Sequence, residues 1–326
     1  MNPATHDRWL HRFAVITAVV SLLPIGMGAL VTTLDAGMAF LDWPTSDGHN
    51  MFLYPWLQDL HANRDKFVEH GHRLAGSLIG LFSIGLAVFA QRRESRGWVR
   101  GLAFGILTGV IVQGLLGGFR VIADARIAAL VHGTFASLIF SAITVFALVT
   151  SARWRQPVDR ESRATGMSLG LKFLALVTPF VILLQSLVGG LIRHLGIALH
   201  EHLAGGVLTT FVAVAMIAAS WRTGQRWLRS AAAGLAVVLL VQLLFGAGAW
   251  VTRFGFPPTG YVAVQQAPEQ VLFRTSHTIA AMFVLMCSIQ LTVRVWRLNW
   301  LRGGGSLETV FSVNSADCES LVGRVS

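Results

Sequence analysis

His70-Gly71-His72-Arg73-Leu74-Ala75-Gly76 returns later in the chain as His200-Glu201-His202-Leu203-Ala204-Gly205, and each copy opens a long apolar run. A second pattern accompanies it. Gln113-x-x-x-Gly117 is followed by Arg120, Gln185-x-x-x-Gly189 by Arg193 and Gln242-x-x-x-Gly246 by Arg253, and each precedes a run bearing a histidine. Repetition at this scale points to a duplicated helical unit. Two four-helix units in the same orientation are expected, related by an axis along the membrane normal.

Composition fixes the solvent. Of 326 residues 54% are hydrophobic and only 13% charged, with a mean hydropathy of +0.61. Runs on the order of 20 apolar residues, enough to cross a bilayer, fall at about 13–33, 73–91, 99–119, 127–150, 169–192, 203–220, 231–251 and 271–293. The predicted fold is all-α: a polytopic membrane protein of eight transmembrane helices, arranged as two pseudo-symmetric four-helix bundles. Residues 1–150 form the N-terminal bundle, 151–295 the C-terminal bundle and 296–326 a flexible tail.

Arginines cluster on alternate loops, among them Arg92, Arg93, Arg96 and Arg100, then Arg153, Arg155, Arg160 and Arg163, then Arg222, Arg226 and Arg229. Short basic loops stay in the cytoplasm, so both termini are expected there, in the cell inner membrane. The net charge of +10 then reflects topology and the lipid membrane as partner, and no nucleic acid is implied. The first apolar run is span-length and lacks a small-residue cleavage site, so it reads as a retained span. Cys287 lies in the last span and Cys318 in the tail, which excludes thiol chemistry in the outer loops.

His72, His132, His202 and His277 all stand near the outer ends of even-numbered spans, each followed four residues later by Gly76, Ala136, Gly206 or Ala281. One such histidine alone is weak evidence, since a bond to a carbonyl or contact with headgroups accounts for it. Four at equivalent positions, each above a small residue, fit a flat guest held by imidazole nitrogen, as porphyrin iron is. Pairing His72 with His132 and His202 with His277 gives each porphyrin two axial ligands; zinc would instead need three or four ligands closing a tetrahedron. His70 and His200 lie about 200° around the helix from the ligands and read as interfacial or hydrogen-bonding, while His49, His61 and His194 read as loop residues. Arg73, Arg120, Arg193, Arg253 and Arg274 at the outer boundary suit propionates or lipid phosphate. The three glutamines read as interhelical glue.

The halves differ at one place. Glu69 stands three residues before His72, on the same helical face, where the second half has Leu199. An acid beside one pair alone points to proton handling there, against the plainer role of an acid at a helix start.

Glu69-His70-Gly71-His72-Arg73 resembles the Glu-x-x-His-Arg motif of heme A synthases, membrane assembly factors of cytochrome c oxidase, and the likeness runs over about residues 10–295. The resemblance implies oxidation of the C8 methyl of heme O to the formyl of heme A by successive oxygen-dependent hydroxylations and loss of water. It implies heme b on His202 and His277, substrate heme O on His72 and His132 with Arg73 nearby, and Glu69 as the catalytic acid. Molecular oxygen, an electron donor, heme O synthase and cytochrome c oxidase subunits are the partners it brings. Where members carry an Arg-Leu-Thr-like stretch, this chain has Thr32-Thr33-Leu34-Asp35-Ala36-Gly37-Met38, and the first outer loop has no cysteine pair. Two histidines on one iron leave no place for oxygen, so His72 or His132 must come off, or oxidation takes another route. A diheme cytochrome b electron carrier needs the same ligands without Glu69, and a heme transporter or chaperone needs only transient binding.

Overall fold

A computed structural model describes residues 7–156 and 167–302. The secondary structure described is helical, and eight helical segments are long and apolar enough to cross a membrane. The first segment is split into α1 (Arg8–Val20) and α2 (Leu22–Thr33). Pro24 explains the split: its ring clashes with the carbonyl four residues earlier, that of Val20, where α1 stops. Asp7 starts α1 by accepting from the Trp9 and Leu10 amides at 2.8 and 3.0 Å.

A loop expected to lie on the outer side and containing the short α3 (Asp59–Ala62) leads to α4 (Arg64–Arg93), and α5 (Gly97–Ile122) and α6 (Arg126–Thr150) follow. After α7 (Ala152–Arg155) come α8 (Leu169–Leu195), α9 (Leu199–Arg222), α10 (Arg226–Phe254) and α11 (Pro268–Arg302). Tight connections mark the histidine end: Gly196 at φ 72° closes α8 and Ala198 at φ 69° opens α9. Residues 296–302 continue α11, and the rest of the expected tail, with Cys318, lies outside the described residues.

Helix α4 begins well before the apolar run from about residue 73. Asn63 caps it by accepting from the Lys66 amide, and its first turns pack under the loop that precedes it instead of in lipid. His70 is therefore fully buried and not interfacial: Ser46 Oγ lies 3.1 Å from its Nδ1, and Phe40, Tyr54 and Trp56 surround its ring. His61 and His194 are likewise helical, in α3 and near the end of α8, while His49 is in the loop.

Two packed cores sit toward the arginine-rich ends of the helices. One joins Leu10, Ala14, Leu86, Val99, Ile106 and Phe146, and the other Leu171, Ala213, Met216, Leu235 and Leu285. In the second half burial stops short of the histidines: α9 has no fully buried residue before Thr209, and α10 has none between Leu239 and Thr252. In the first half it continues, with Val31, Leu34, Ala36 and Val68 forming a further buried cluster at the histidine end.

Glu94 anchors the arginine-rich end. Its buried carboxylate accepts from Arg96 Nε at 2.9 Å and Nη2 at 2.8 Å and from Arg155 Nη2 at 3.0 Å. Burial pushes this carboxyl upward, but the bonds and charges of Arg96 and Arg155 outweigh burial and hold it below its ordinary 4.5. The depressed value makes the network stabilising above about pH 4.5, with that contribution lost as pH falls through the folded value. Glu94→Gln should cost about 1–3 kcal/mol, since the arginines lose a charged partner but stay partly hydrated. Thermal unfolding of both proteins against pH checks this, with the gap narrowing in acid.

Candidate functional site

The site repeats one local arrangement four times. His72 on α4, His132 on α6, His202 on α9 and His277 on α11 each lay their ring against a glycine of the preceding span: Gly28, Gly117, Gly189 and Gly246. A Cβ on these glycines would come within 2.8, 3.0, 2.9 and 2.9 Å of the respective Cε1 atoms, so no larger residue fits with the ring in place. Four residues before each glycine is the residue that orients the ring. His72 Nδ1 donates to the Pro24 carbonyl at 3.0 Å and His277 Nδ1 to the Gln242 carbonyl at 3.1 Å. With the proton on Nδ1, Nε2 keeps its lone pair for a metal. The other two rings are held differently: Gln185 Nε2 lies 3.0 Å from His202 Nδ1, and His132 Nδ1 is buried with no partner among the described residues.

The glutamines thus do more than join helices. Gln113 Nε2 donates to the His132 carbonyl at 3.0 Å, Gln185 Nε2 to that of His202 at 2.7 Å, and Gln242 Nε2 lies 3.4 Å from His277 Nε2. Pro24-x-x-x-Gly28 is the fourth member of the set, and the sequence pattern missed it because proline stands where the other three have glutamine. The constant spacing to glycine was the available signal.

Each histidine faces a partner. His72 and His132 have ring centres 6.1 Å apart with planes at 80°, and His202 and His277 lie 6.2 Å apart at 88°. An iron bound by one nitrogen of each ring at about 2.0–2.1 Å, with that nitrogen about 1.1 Å from the ring centre, sets the centres about 6 Å apart. The separation within each pair would allow one imidazole nitrogen from each ring to reach a shared iron. Gly76, a turn below His72, has nothing within 4 Å of an added Cβ, consistent with a flat ring passing there. Among the described residues no third His, Cys, Asp or Glu joins either pair, as tetrahedral zinc would require.

Beside the first pair the loop before α4 is tied down by Glu69 and Arg73. Glu69 is 3% exposed and accepts from the Ala39 amide at 2.8 Å, the Phe40 amide at 3.3 Å and Arg73 Nη2 at 2.8 Å. Arg73 Nη1 also donates to the Asp42 and Thr45 carbonyls at 2.9 and 2.7 Å, and its guanidinium lies over Phe40. Trp43 packs on Gly118 and Gly37 on the Arg120 guanidinium, so the loop closes over α5 as well. Both terminal nitrogens of Arg73 are thus held by protein acceptors. Arg193 is held too, by the Ala29 carbonyl, Thr33 and Thr278, and Arg253 by Gln265. Arg120 beside the first pair and Arg274 near the second carry no such hydrogen bonds among the described residues, and they better suit an added carboxylate.

The chain is similar to proteins named heme A synthase. One from Symbiobacterium thermophilum is 31% identical over 199 residues, 57% of this chain and 60% of that protein. One from a Jannaschia species is 32% identical over 168 residues, 48% and 41% of the two chains, and one from Paracoccus denitrificans is 29% identical over 162 residues, 47% and 41%. The chain is a homologue of the heme A synthases. The matched stretch spans 60% or less of these relatives' own lengths. No family model matches the chain, and no solved structure matches it.

In this heme A synthase homologue the glycine platforms can be tested without touching a histidine. Gly246→Val should displace His277 and reduce the heme retained on purification about as far as His277→Ala. Gly234→Val on the same helix, where an added Cβ meets nothing, should retain it. Absorption spectra of the purified proteins check this.

Proposed function

We propose that this chain is a membrane-bound oxidoreductase converting the C8 methyl of heme O to the formyl of heme A for cytochrome c oxidase biogenesis. The observation that carries the reading is the asymmetry of two matched histidine pairs: 6.1 and 6.2 Å between ring centres, with Glu69, bonded to the loop before α4, three residues from His72 and Leu199 at the matching place before His202. On this reading residues 1–150 and 151–295 are two four-helix bundles related by the repeat. The arginine-rich end faces the cytoplasm, with both termini, and the histidine end faces outward from the cell inner membrane.

His202 and His277 hold a resident heme b, and His72 and His132 hold heme O as substrate. Heme b, when bound, supplies one-electron transfer. The protein's residues supply position and proton control. Nδ1–H bonds to the Pro24 and Gln242 carbonyls keep the His72 and His277 rings turned with Nε2 inward. Trp43 and Gly37, seated on α5, keep bulk water from the first pair. Glu69 is the catalytic acid, its Oε1 and Oε2 fixed by Arg73 and the loop amides. Arg73 positions Glu69, and Arg120 is the cation free to meet a substrate carboxylate. Molecular oxygen and an electron donor are co-reactants, with heme O synthase and cytochrome c oxidase subunits as neighbours in the assembly route.

The near-identical geometry of the two pairs favours one second reading, a diheme cytochrome b that only carries electrons. Co-expression with a heme O synthase in a host lacking heme A, followed by analysis of extracted hemes, separates them. Heme A should form with the parent chain and fall at least about a hundredfold with Glu69→Ala, the scale of a lost general acid. His202→Ala should abolish the stable b-type spectrum. Heme O alone from well-inserted parent protein would overturn the synthase reading, and a Glu69→Ala chain as active as the parent would overturn the role of the acid.

A further inference from the structure

A groove of about 740 Å³ opens at the arginine-rich end, far from the histidines, between α1, α2 and α6 on one side and α10 and α11 on the other. It follows the first span from His11 to Leu22, about 16 Å at 1.5 Å per residue, which is roughly half of a hydrocarbon layer about 30 Å thick. The groove is thus one leaflet deep. Its walls are apolar, with Val15, Val19, Leu22, Phe140, Phe283 and Met286 along its length.

Its mouth is basic. Arg153, Arg226 and Arg294 line it, and among the described residues the lining contains no Asp or Glu. Arg153 and Arg294 lie close enough to repel each other, an arrangement that costs energy unless an anion sits between them. Arg294 is held by the Trp227 carbonyl at 3.1 Å and stacked over the Trp227 ring, yet its buried Nε has no acceptor among the described residues. Arg153 and Arg226 are exposed and have no acceptor there either. An apolar slot one leaflet long, ending in three unneutralised guanidinium groups, matches a lipid chain below a phosphate.

We infer that this groove is a binding site for one anionic phospholipid, seated with its acyl chain along the first span and its phosphate among Arg153, Arg226 and Arg294. The lipid bridges helices of the first four spans to helices of the last two and completes the seam between them.

The test uses the full chain in detergent, titrated with phosphatidylglycerol or phosphatidylcholine and followed by native mass spectrometry. One phosphatidylglycerol should stay bound under conditions that strip phosphatidylcholine. Arg153→Gln with Arg226→Gln should weaken it at least about tenfold, whereas Arg92→Gln with Arg222→Gln, removing two exposed arginines outside the groove, should change it little. Val19→Trp fills the groove, keeps every charge and should weaken binding comparably, which keeps the test valid even if the double arginine variant misfolds. Equal retention of the two lipids, equal loss in both arginine pairs, or unchanged binding in Val19→Trp would overturn the site.

Discussion

Each imidazole lies against a glycine of the preceding span, with Cε1 nearest, and the rest of the site depends on that contact. It sets how closely two helices approach, which fixes where the ring is and so the separation within each pair. For His72 and His277 the carbonyl one turn earlier then chooses the tautomer. Neither device involves a charged group, which suits a setting where an unpaired charge is expensive. The packed cores at the arginine-rich end hold the helices together, so in the second half the histidine end need not close on itself.

Charge is handled differently at the two ends. At the arginine-rich end a buried carboxylate gathers two guanidinium groups, while at the histidine end Glu69 and Arg73 pair at 2.8 Å and also pin the loop before α4 by its backbone. Before the second pair Leu199 stands at the place matching Glu69. Two similar ligand pairs thus stand in different surroundings, and difference of surroundings is how one scaffold holds two roles.

Much of this was legible in the sequence because bilayer-length apolar runs and arginine asymmetry follow directly from the cost of burying charge in lipid. All eight spans are found where hydropathy puts them, and the four histidines meet in the expected pairs. The ends of helices were less legible. Hydropathy registers lipid contact and not helix as such, so it missed the first turns of α4, where His70 and Glu69 are buried by protein. The Gly28 platform was hidden because the ring bond goes to a backbone carbonyl, which any residue supplies, proline included. The destination of Arg73 was unreadable since its acceptors are carbonyls of a loop distant in sequence.

The break at Ser21 gives one of these platforms a property the others lack. Gly117, Gly189 and Gly246 ride on helices of 26 residues or more, whereas Gly28 rides on α2, twelve residues that meet α1 at Ser21. Its far end is tied through Thr33 and the Ala29 carbonyl to Arg193 on α8 and through Thr33 to Thr275 on α11. The seat of His72 is therefore a short strut whose far end is fastened to α8, which carries Gly189, and to α11, which carries His277. A tilt of that strut would loosen one imidazole while three stay seated, and it would be felt first by the helices around His202 and His277.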